Sequence, residues 1–192
     1  MADFPPCDDV CGALEEHVRR NFPDREVEAF TWTAGPLLEI NPHFRALRIS
    51  PGAGDRLTHY ISVGGWAFET DDSPGIEFVL SVEEPTDRAV ELLAMSVYYN
   101  RSGVLGLGHT LPIGAPWLPG SKSDHLLISL PYLWGPDLQI SHVGDRHVEF
   151  LWLLPITSAE RKYKMKRGLD ALESRFEKRQ IRFWDPRRKS LA

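Results

Sequence analysis

Cysteine is scarce in this chain of 192 residues, which contains only Cys7 and Cys11. Two cysteines do not make the disulfide framework of a small secreted protein, so we expect both thiols to be reduced. Together with His17 they could supply three metal ligands, but a fourth is missing, and Cys11 and His17 fall on different faces of a predicted helix. The sequence therefore predicts no metal site and no cofactor.

Long apolar runs and targeting signals are also missing. No run approaches the roughly 20 apolar residues that a membrane-spanning helix needs, and the opening MADFPPCDDVCGALEEHVRRNF lacks the basic and apolar regions of a secretory signal. We therefore expect a cytoplasmic protein with no membrane association. The composition is that of a globular protein, with 42% apolar and 26% charged residues. We expect a single domain over residues 1–192.

The motifs of common enzymes are absent as well. The sequence contains no G-x-S-x-G nucleophile turn, no H-E-x-x-H zinc motif and no Walker phosphate loop. The run GVLGLG at residues 103–108 follows a helical pattern and leads into Pro112, which is not the strand-to-helix setting of a dinucleotide site. We therefore expect no catalytic activity. The alternatives are a hydrolase or metal-dependent enzyme that uses His109 and His125, and a regulatory subunit.

Positive charge is concentrated at one end of the chain, although the net charge is −5. Residues 1–160 hold 10 Lys and Arg against 23 Asp and Glu, whereas residues 161–192 hold 12 against 4. The basic tail also carries apolar residues at helical spacing, among them Leu169, Leu172 and Phe176. We expect this tail to dock on the acidic body; a nucleic-acid arm and a solvated helix are the alternatives.

Helical and strand patterns alternate irregularly along the chain. Val10, Leu14 and Val18 share one face of a first helix that Asp9 can cap, and Thr86 can cap a second helix. Strand-like runs occupy residues 25–32, 44–50, 58–69, 75–84, 125–131, 138–144 and 146–156, and a last helix is broken near Gly168. Because regular βαβ alternation is absent, the pattern predicts an α+β fold with a mostly antiparallel sheet and flanking helices.

The stretch FLWLLPITSAER, residues 150–161, predicts a buried strand followed by a helix. We expect the strand to end at Pro155, which has no backbone N–H to donate. Thr157 and Glu160 have the spacing of a capping box, in which each side chain bonds the backbone N–H of the other residue. Helix capping accounts for both residues without a catalytic role.

A loop at residues 101–125 contains five glycines and three prolines in 25 residues. Loops of this length in compact domains are usually functional. We expect its later part, from Gly106 to His125, to form a recognition surface on which Trp117 is exposed or half exposed as an aromatic anchor. For His109 and His125 we favour hydrogen bonds that pin the loop.

Several motifs resemble those of Suppressor of fused domain proteins and occur in the same order. They are HYISVGGW, GIEFVLSVEE, GLGHTLPIGAPW, FLWLLPITSAER with GLDALESRF, and the ending WDPRRKS. The resemblance covers roughly residues 25–190. It implies a fold similar to the N-terminal domain of the animal protein, which binds Gli transcription factors by gripping an extended peptide. Gly108 stands where animal members carry an aspartate, so we do not expect Gli binding.

The short members of this family that the chain resembles look bacterial, and many are similar to immunity proteins encoded beside polymorphic toxins. The resemblance therefore implies a non-catalytic protein-binding module that neutralises a toxin encoded nearby. A toxin that acts on nucleic acid often has a basic surface, which an acidic body would attract. The expected partner-binding residues are His59, Tyr60, Gly108, His109, Thr110, Trp117 and His125.

Overall fold

The computed structural model describes residues 7–71 and 73–191, with side chains from Asp9 onward. Its helices are α1 (Cys7–Asn21), α2 (Leu37–Ile40), α3 (Asp87–Tyr99), α4 (Pro136–Gln139), α5 (Ser158–Arg167) and α6 (Leu169–Arg179). Its strands are β1 (Val27–Phe30), β2 (Arg45–Ile49), β3 (Thr58–Val63), β4 (Gly75–Val82), β5 (Thr110–Pro112), β6 (Ser123–Ser129), β7 (Ile140–Val143) and β8 (Arg146–Thr157). Within this part of the chain, none of the helices has the length and apolar character needed to cross a bilayer.

The chain divides into two compact units, which we describe separately. The first comprises the residues up to Leu105 and residues 130–152, and the second comprises residues 106–129 and those from Leu153 onward. Strand β8 begins in the first unit and ends in the second. The expectation of one domain over residues 1–192 stays a prediction.

The sheet of the first unit is built from an antiparallel meander. Strands β1, β2, β3 and β4 pair in sequence order, each antiparallel to the next. Strand β8 then lies parallel to β4, and β7 pairs with β8 as an antiparallel hairpin. All residues of β3 and β4 are buried, and they include the polar residues Thr58, His59 and Ser62 of β3 and Glu77 and Ser81 of β4. The predicted α+β fold with a mostly antiparallel sheet is confirmed.

Helix α3 illustrates why these residues form a helix at this point. The Thr86 hydroxyl accepts a hydrogen bond from the Arg88 N–H at 3.3 Å, as a cap should. Val90, Leu93 and Val97 are all buried, and α3 packs against β3 and β4. The cap and the apolar stripe expected from the sequence are both confirmed.

The second unit joins β5 and β6 to two basic helices. Thr157 and Glu160 form the expected capping box at the start of α5. Gly168 separates α5 from α6, as its sequence position predicts. Leu172 and Phe176 on α6 are buried, and the Arg188 guanidinium of the tail bonds the Glu160 carboxylate within the same unit. The expected docking of the tail on the acidic body of residues 1–160 stays a prediction.

Some local expectations are wrong. Strand β8 continues through Pro155 to Thr157, and the run at residues 58–69 ends as a strand at Val63, followed by a 3-10 turn at Gly65–Phe68. Helix α1 already includes Asp9, which therefore does not precede it as a cap. Cys11 is disulfide-bonded rather than reduced, and the side chain of Cys7 lies outside the described residues.

Candidate protein-interaction surface

The second unit brings part of the expected recognition loop into an edge strand. Strand β5 pairs with β6 so that Thr110 lies opposite Leu127 and Pro112 opposite His125. In the strand order β5 is the last strand, with β6 as its neighbour. Because β5 has only three residues and Pro112 has no backbone N–H, this edge has few free backbone groups, and a partner would bind mainly through side chains.

Gly108 and His109 lead the chain into this edge. The Gly108 N–H donates to the Ile128 carbonyl at 2.8 Å, and the Ile128 N–H donates to the His109 carbonyl at 2.9 Å. Gly108 has φ +81°, and a Cβ atom at that position would lie 3.2 Å from Leu169 Cδ2. The turn therefore favours glycine at Gly108. The backbone of His109 is thus fixed, while its side chain is exposed.

His125 contributes to a hydrogen-bonded chain of side chains in the second unit. Its Nδ1 lies 2.9 Å from Asp124 Oδ1, and the Ser158 hydroxyl donates to Asp124 Oδ2 at 2.7 Å. Burial alone would raise the pKa of Asp124, but the hydrogen bonds from His125 and Ser158 hold this pKa below its usual value. Through Asp124, the loop is tied to the start of α5.

The structure contradicts the expectation that Trp117 is exposed. Only 1% of its surface is accessible. The loop folds back along β6, because the Ile113 N–H donates to the Asp124 carbonyl at 3.1 Å and the Trp117 N–H donates to the Ser123 carbonyl at 3.0 Å. A large apolar ring gains more free energy by packing than by exposure to water. Trp117 therefore anchors the fold of the loop in this structure.

His59 and Tyr60 lie on β3 in the first unit and are also buried, with 1% and 2% of their surfaces accessible. Strand β3 lies between β2 and β4, so His59 and Tyr60 do not lie at an edge of the sheet, and in this structure their side chains are not accessible to a partner, contrary to expectation. The Tyr60 hydroxyl accepts a hydrogen bond from the Thr86 N–H at 3.0 Å. This contact joins β3 to the cap of α3, and both side chains belong to the core of the unit.

His59 joins an aspartate and a serine in one hydrogen-bonded network, as the histidine of a serine hydrolase triad does, but its two ring nitrogens have exchanged partners. Its Nε2 lies 2.8 Å from Asp55 Oδ2, and its Nδ1 lies 3.0 Å from Ser81 Oγ. Since the Asp55 carboxylate only accepts, His59 Nε2–H donates to it and Nδ1 accepts from the Ser81 hydroxyl. Burial lowers the pKa of His59, and its hydrogen bond to Asp55 offsets part of that effect.

The position of this network favours a structural role. Ser81 is 3% accessible and His59 is 1% accessible, so a substrate cannot reach the hydroxyl without a rearrangement. The Trp134 ring packs 5.1 Å from the His59 ring, and the Phe22 ring packs 5.5 Å from it. Sequence analysis missed the network because its members come from a loop, β3 and β4 and form no local motif.

We expect Asp55→Ala to lower the free energy of unfolding by roughly 1 to 3 kcal/mol, because it leaves buried donors without their acceptor. Asp55 accepts hydrogen bonds from His59, from the Arg25 guanidinium at 2.8 Å and from the Leu57 N–H at 3.0 Å. Urea denaturation measures the loss. Glu83→Ala removes the same charge from an exposed position and should change stability by less than about 0.5 kcal/mol; equal losses in the two variants would contradict the network's structural role.

Metal ligands do not gather in the part of the chain that the structure describes: it holds no group of three or more His, Cys, Asp or Glu side chains that could bind an ion. His142 and His147 face each other across the β7–β8 hairpin with ring centroids 5.2 Å apart. Two imidazoles alone make a poor metal site.

Comparison with known proteins gives a consistent result. The family model described as Suppressor of fused protein (SUFU) matches residues 41–189. The chain is 32% identical to a SUFU homologue from Neisseria gonorrhoeae of known structure, with 95% of this chain and 96% of that one covered and a TM-score of 0.84. It is 24% identical over 164 residues to the immunity protein YqcF of Bacillus subtilis, covering 79% of this chain and 83% of that protein. The crystal structure of the Sufu–Fu complex contains the same fold, with 14% identity, 88% of this chain and 84% of that one covered, and a TM-score of 0.67.

Proposed function

Because the chain belongs to the Suppressor of fused family, we propose that it is a non-catalytic protein-binding module that binds and neutralises a toxin. The similarity to the immunity protein YqcF supports the immunity role, and the family fold fits protein binding. The Sufu–Fu complex is an example of a protein partner bound by a related fold.

The edge of the second unit is the surface that we assign to the partner. The observation that carries this assignment is the exposed His109 side chain, which directly precedes β5, the last strand in the strand order. Thr110 is partly accessible on the same strand, and Gly108 fixes the turn that precedes it. His125, opposite Pro112 on β6, completes the group of expected binding residues at this edge. Trp117 supports the surface from inside the fold.

The charge of the first unit indicates the kind of partner. Its sequence holds 9 Lys and Arg against 21 Asp and Glu, a net charge of −12. A partner with a basic surface would associate faster because of this charge, particularly at low salt. Toxins that act on nucleic acid often have such a surface. Charge supports this class of partner, and the binding residues at β5 supply the specific contacts.

Co-expression tests the immunity role. The chain should restore growth of a bacterial host that expresses the toxic domain of a toxin encoded next to its own gene. Growth that stays arrested while both proteins are present and folded would overturn the immunity role. A regulatory subunit, by contrast, would bind its partner without protecting the host.

Calorimetric titration with an inactivated form of that toxic domain tests the surface. We expect His109→Ala to weaken binding by tenfold or more, because truncation of a central contact residue costs about 2 kcal/mol. His43 is also exposed but lies in the first unit, so His43→Ala is the matched control and should keep the parental affinity. Equal affinity of the parent and both variants would move the binding surface away from β5.

A further inference from the structure

Basic side chains of the second unit line one cleft. The cleft has a volume of about 710 Å³. Helix α6 forms one wall, where positions 175, 178 and 179 share a face of the helix, and residues 189–191 form the other wall. Its lining residues are Arg175, Lys178, Arg179, Lys189, Ser190 and Leu191.

Buried contacts hold the second wall in place. The Arg188 guanidinium bonds both carboxylate oxygens of Glu160 at 2.7 Å and the Pro155 carbonyl at 2.8 Å. The Leu191 N–H donates to Glu160 Oε1 at 3.1 Å, and the Ser190 hydroxyl lies 2.8 Å from that of Thr157. The segment that carries Lys189 is therefore fixed on both sides of it.

Arg175 connects the two walls. Its Nη1 donates to the Leu191 carbonyl at 2.8 Å, and its guanidinium stacks over the Tyr163 ring with 4.1 Å between the guanidinium carbon and the ring centroid. These two contacts hold the Arg175 side chain in place, and a side chain that is held in place loses less conformational entropy when it binds a ligand. The four cationic side chains of the cleft are all exposed and therefore accessible to a ligand.

Four of the six described lining residues are cationic and none of the six is acidic. Helix stability explains part of the positive charge in the cleft, because Lys178 and Arg179 lie in the last turn of α6 and complement the negative end of its dipole. That reason does not extend to Lys189, which lies outside the helix. Cations that share a cleft repel one another, and a bound anion relieves this repulsion.

We propose that this cleft binds a small polyanion that carries several phosphate groups. Arginine and lysine are the usual protein ligands of phosphate, and the volume lies in the range of small-molecule sites, roughly 300 to 1,000 Å³. A single-stranded nucleic acid is a poorer fit, because none of the six lining residues is aromatic and no base could stack on them. The net charge of −5 also disfavours the binding of a long polyanion more than that of a small one, because a long polyanion extends past the cleft and is repelled by the rest of the chain.

Calorimetric titration of the full chain with sodium tripolyphosphate, and separately with a nucleoside triphosphate, tests the proposal. We expect binding of one ligand per chain that weakens as salt is raised from 50 to 200 mM. The double variant Lys178→Ala/Lys189→Ala should lower the affinity at least tenfold. Lys162 and Lys166 are exposed on α5 outside the cleft, so Lys162→Ala/Lys166→Ala removes the same charge and should change the affinity less than twofold.

Three outcomes would overturn this assignment. The first is that neither phosphate compound binds. The second is an equal loss of affinity in the two double variants, which would reflect the general charge of the unit. The third is tighter binding of a glutamate-rich peptide or of duplex DNA than of tripolyphosphate, which would show that the cleft binds a macromolecule. No toxin enters these titrations, so their result is independent of the proposed immunity role.

Discussion

Replacing Arg188 by alanine is expected to lower the free energy of unfolding by roughly 3 to 5 kcal/mol, the usual effect of removing one partner from a buried ion pair. The Arg188 side chain is 5% accessible and that of Glu160 is 0% accessible. Loss of the guanidinium leaves the Glu160 carboxylate in the interior without its counter-charge. The Pro155 carbonyl, which also accepts from Arg188, loses a partner as well.

Glu160 accounts for the size of this effect because it joins the start of a helix to the tail. It accepts hydrogen bonds from the Thr157 N–H at 2.8 Å and from the Leu191 N–H at 3.1 Å. Burial would raise the pKa of Glu160, but Arg188 and these backbone donors hold this pKa below its usual value. The resulting stabilisation is present above the ordinary pKa of 4.5 and is lost as the pH falls below it.

Urea denaturation at pH 7 and at pH 4 measures both parts of this prediction. Arg188→Ala should be much less stable than the parent at pH 7, and the difference should shrink at pH 4, where Glu160 of the variant takes up a proton. Arg187→Ala is the matched control, since Arg187 is the exposed neighbour in the same segment. If Arg187→Ala and Arg188→Ala were equally stable, the ion pair would contribute nothing beyond the general charge of the tail.

Local signals in the sequence were sufficient for the elements that depend on neighbouring residues. The cap at Thr86, the capping box of Thr157 and Glu160, and the break at Gly168 each need only a few adjacent residues. The pairing of Glu160 with Arg188 spans 28 positions and depends on how the tail folds back. Sequence spacing predicts that Glu160 caps a helix, but it gives no information about this second partner.

Pro155 and Trp117 show where such reasoning fails. A proline ends a strand only if the missing N–H is needed by a neighbouring strand, and β8 continues past Pro155. Trp117 lies among glycines and prolines, so its surroundings in the sequence indicate a surface loop. Its burial depends on backbone bonds of Ile113 and Trp117 to β6, which are tertiary contacts. The structural network of Asp55, His59 and Ser81 was missed for the same reason, because these residues meet only through tertiary contacts.

Glu77 is the residue for which the sequence did contain a usable signal. It stands within the apolar run GIEFVL and is fully buried on β4. Its carboxylate accepts from the Ser62 hydroxyl at 2.5 Å, from the Gly64 N–H at 2.9 Å and from the Trp66 N–H at 3.1 Å. A lone acid in a strand with a continuous apolar sequence indicates a buried carboxyl group with a specific partner.

The close approach of the chain to the Glu77 carboxyl group explains why the HYISVGGW motif has glycine at positions 64 and 65. Gly64 has φ +127°, which other residues rarely adopt. A Cβ atom on Gly65 would lie 2.2 Å from the Ile76 carbonyl oxygen and 3.1 Å from Glu77 Oε2. The chain can approach the carboxyl group this closely only without side chains, so the motif positions the turn around Glu77.

Burial raises the pKa of Glu77 to about 7, although its hydrogen bonds act in the opposite direction. The protonated form is therefore favoured by folding. Its contribution to stability is complete below the ordinary pKa of 4.5 and is lost as the pH rises through about 7. Such a shift corresponds to a change of up to about 3 kcal/mol across this range.

Glu77→Gln should remove this pH dependence, because an amide resembles the protonated carboxyl group and does not ionise. We expect the variant to be close to the parent in stability at pH 4.5 and more stable than the parent by about 1 to 3 kcal/mol at pH 7.5. The measurement is the free energy of unfolding of both proteins in urea at several pH values between these limits. Burial lowers the pKa of His17 and of His59, so both histidines add stability as the pH rises. Both histidines are present in the parent and in the variant, so the difference between the two stability curves reports on Glu77 alone. A difference in stability that does not change with pH would show that Glu77 keeps an ordinary pKa.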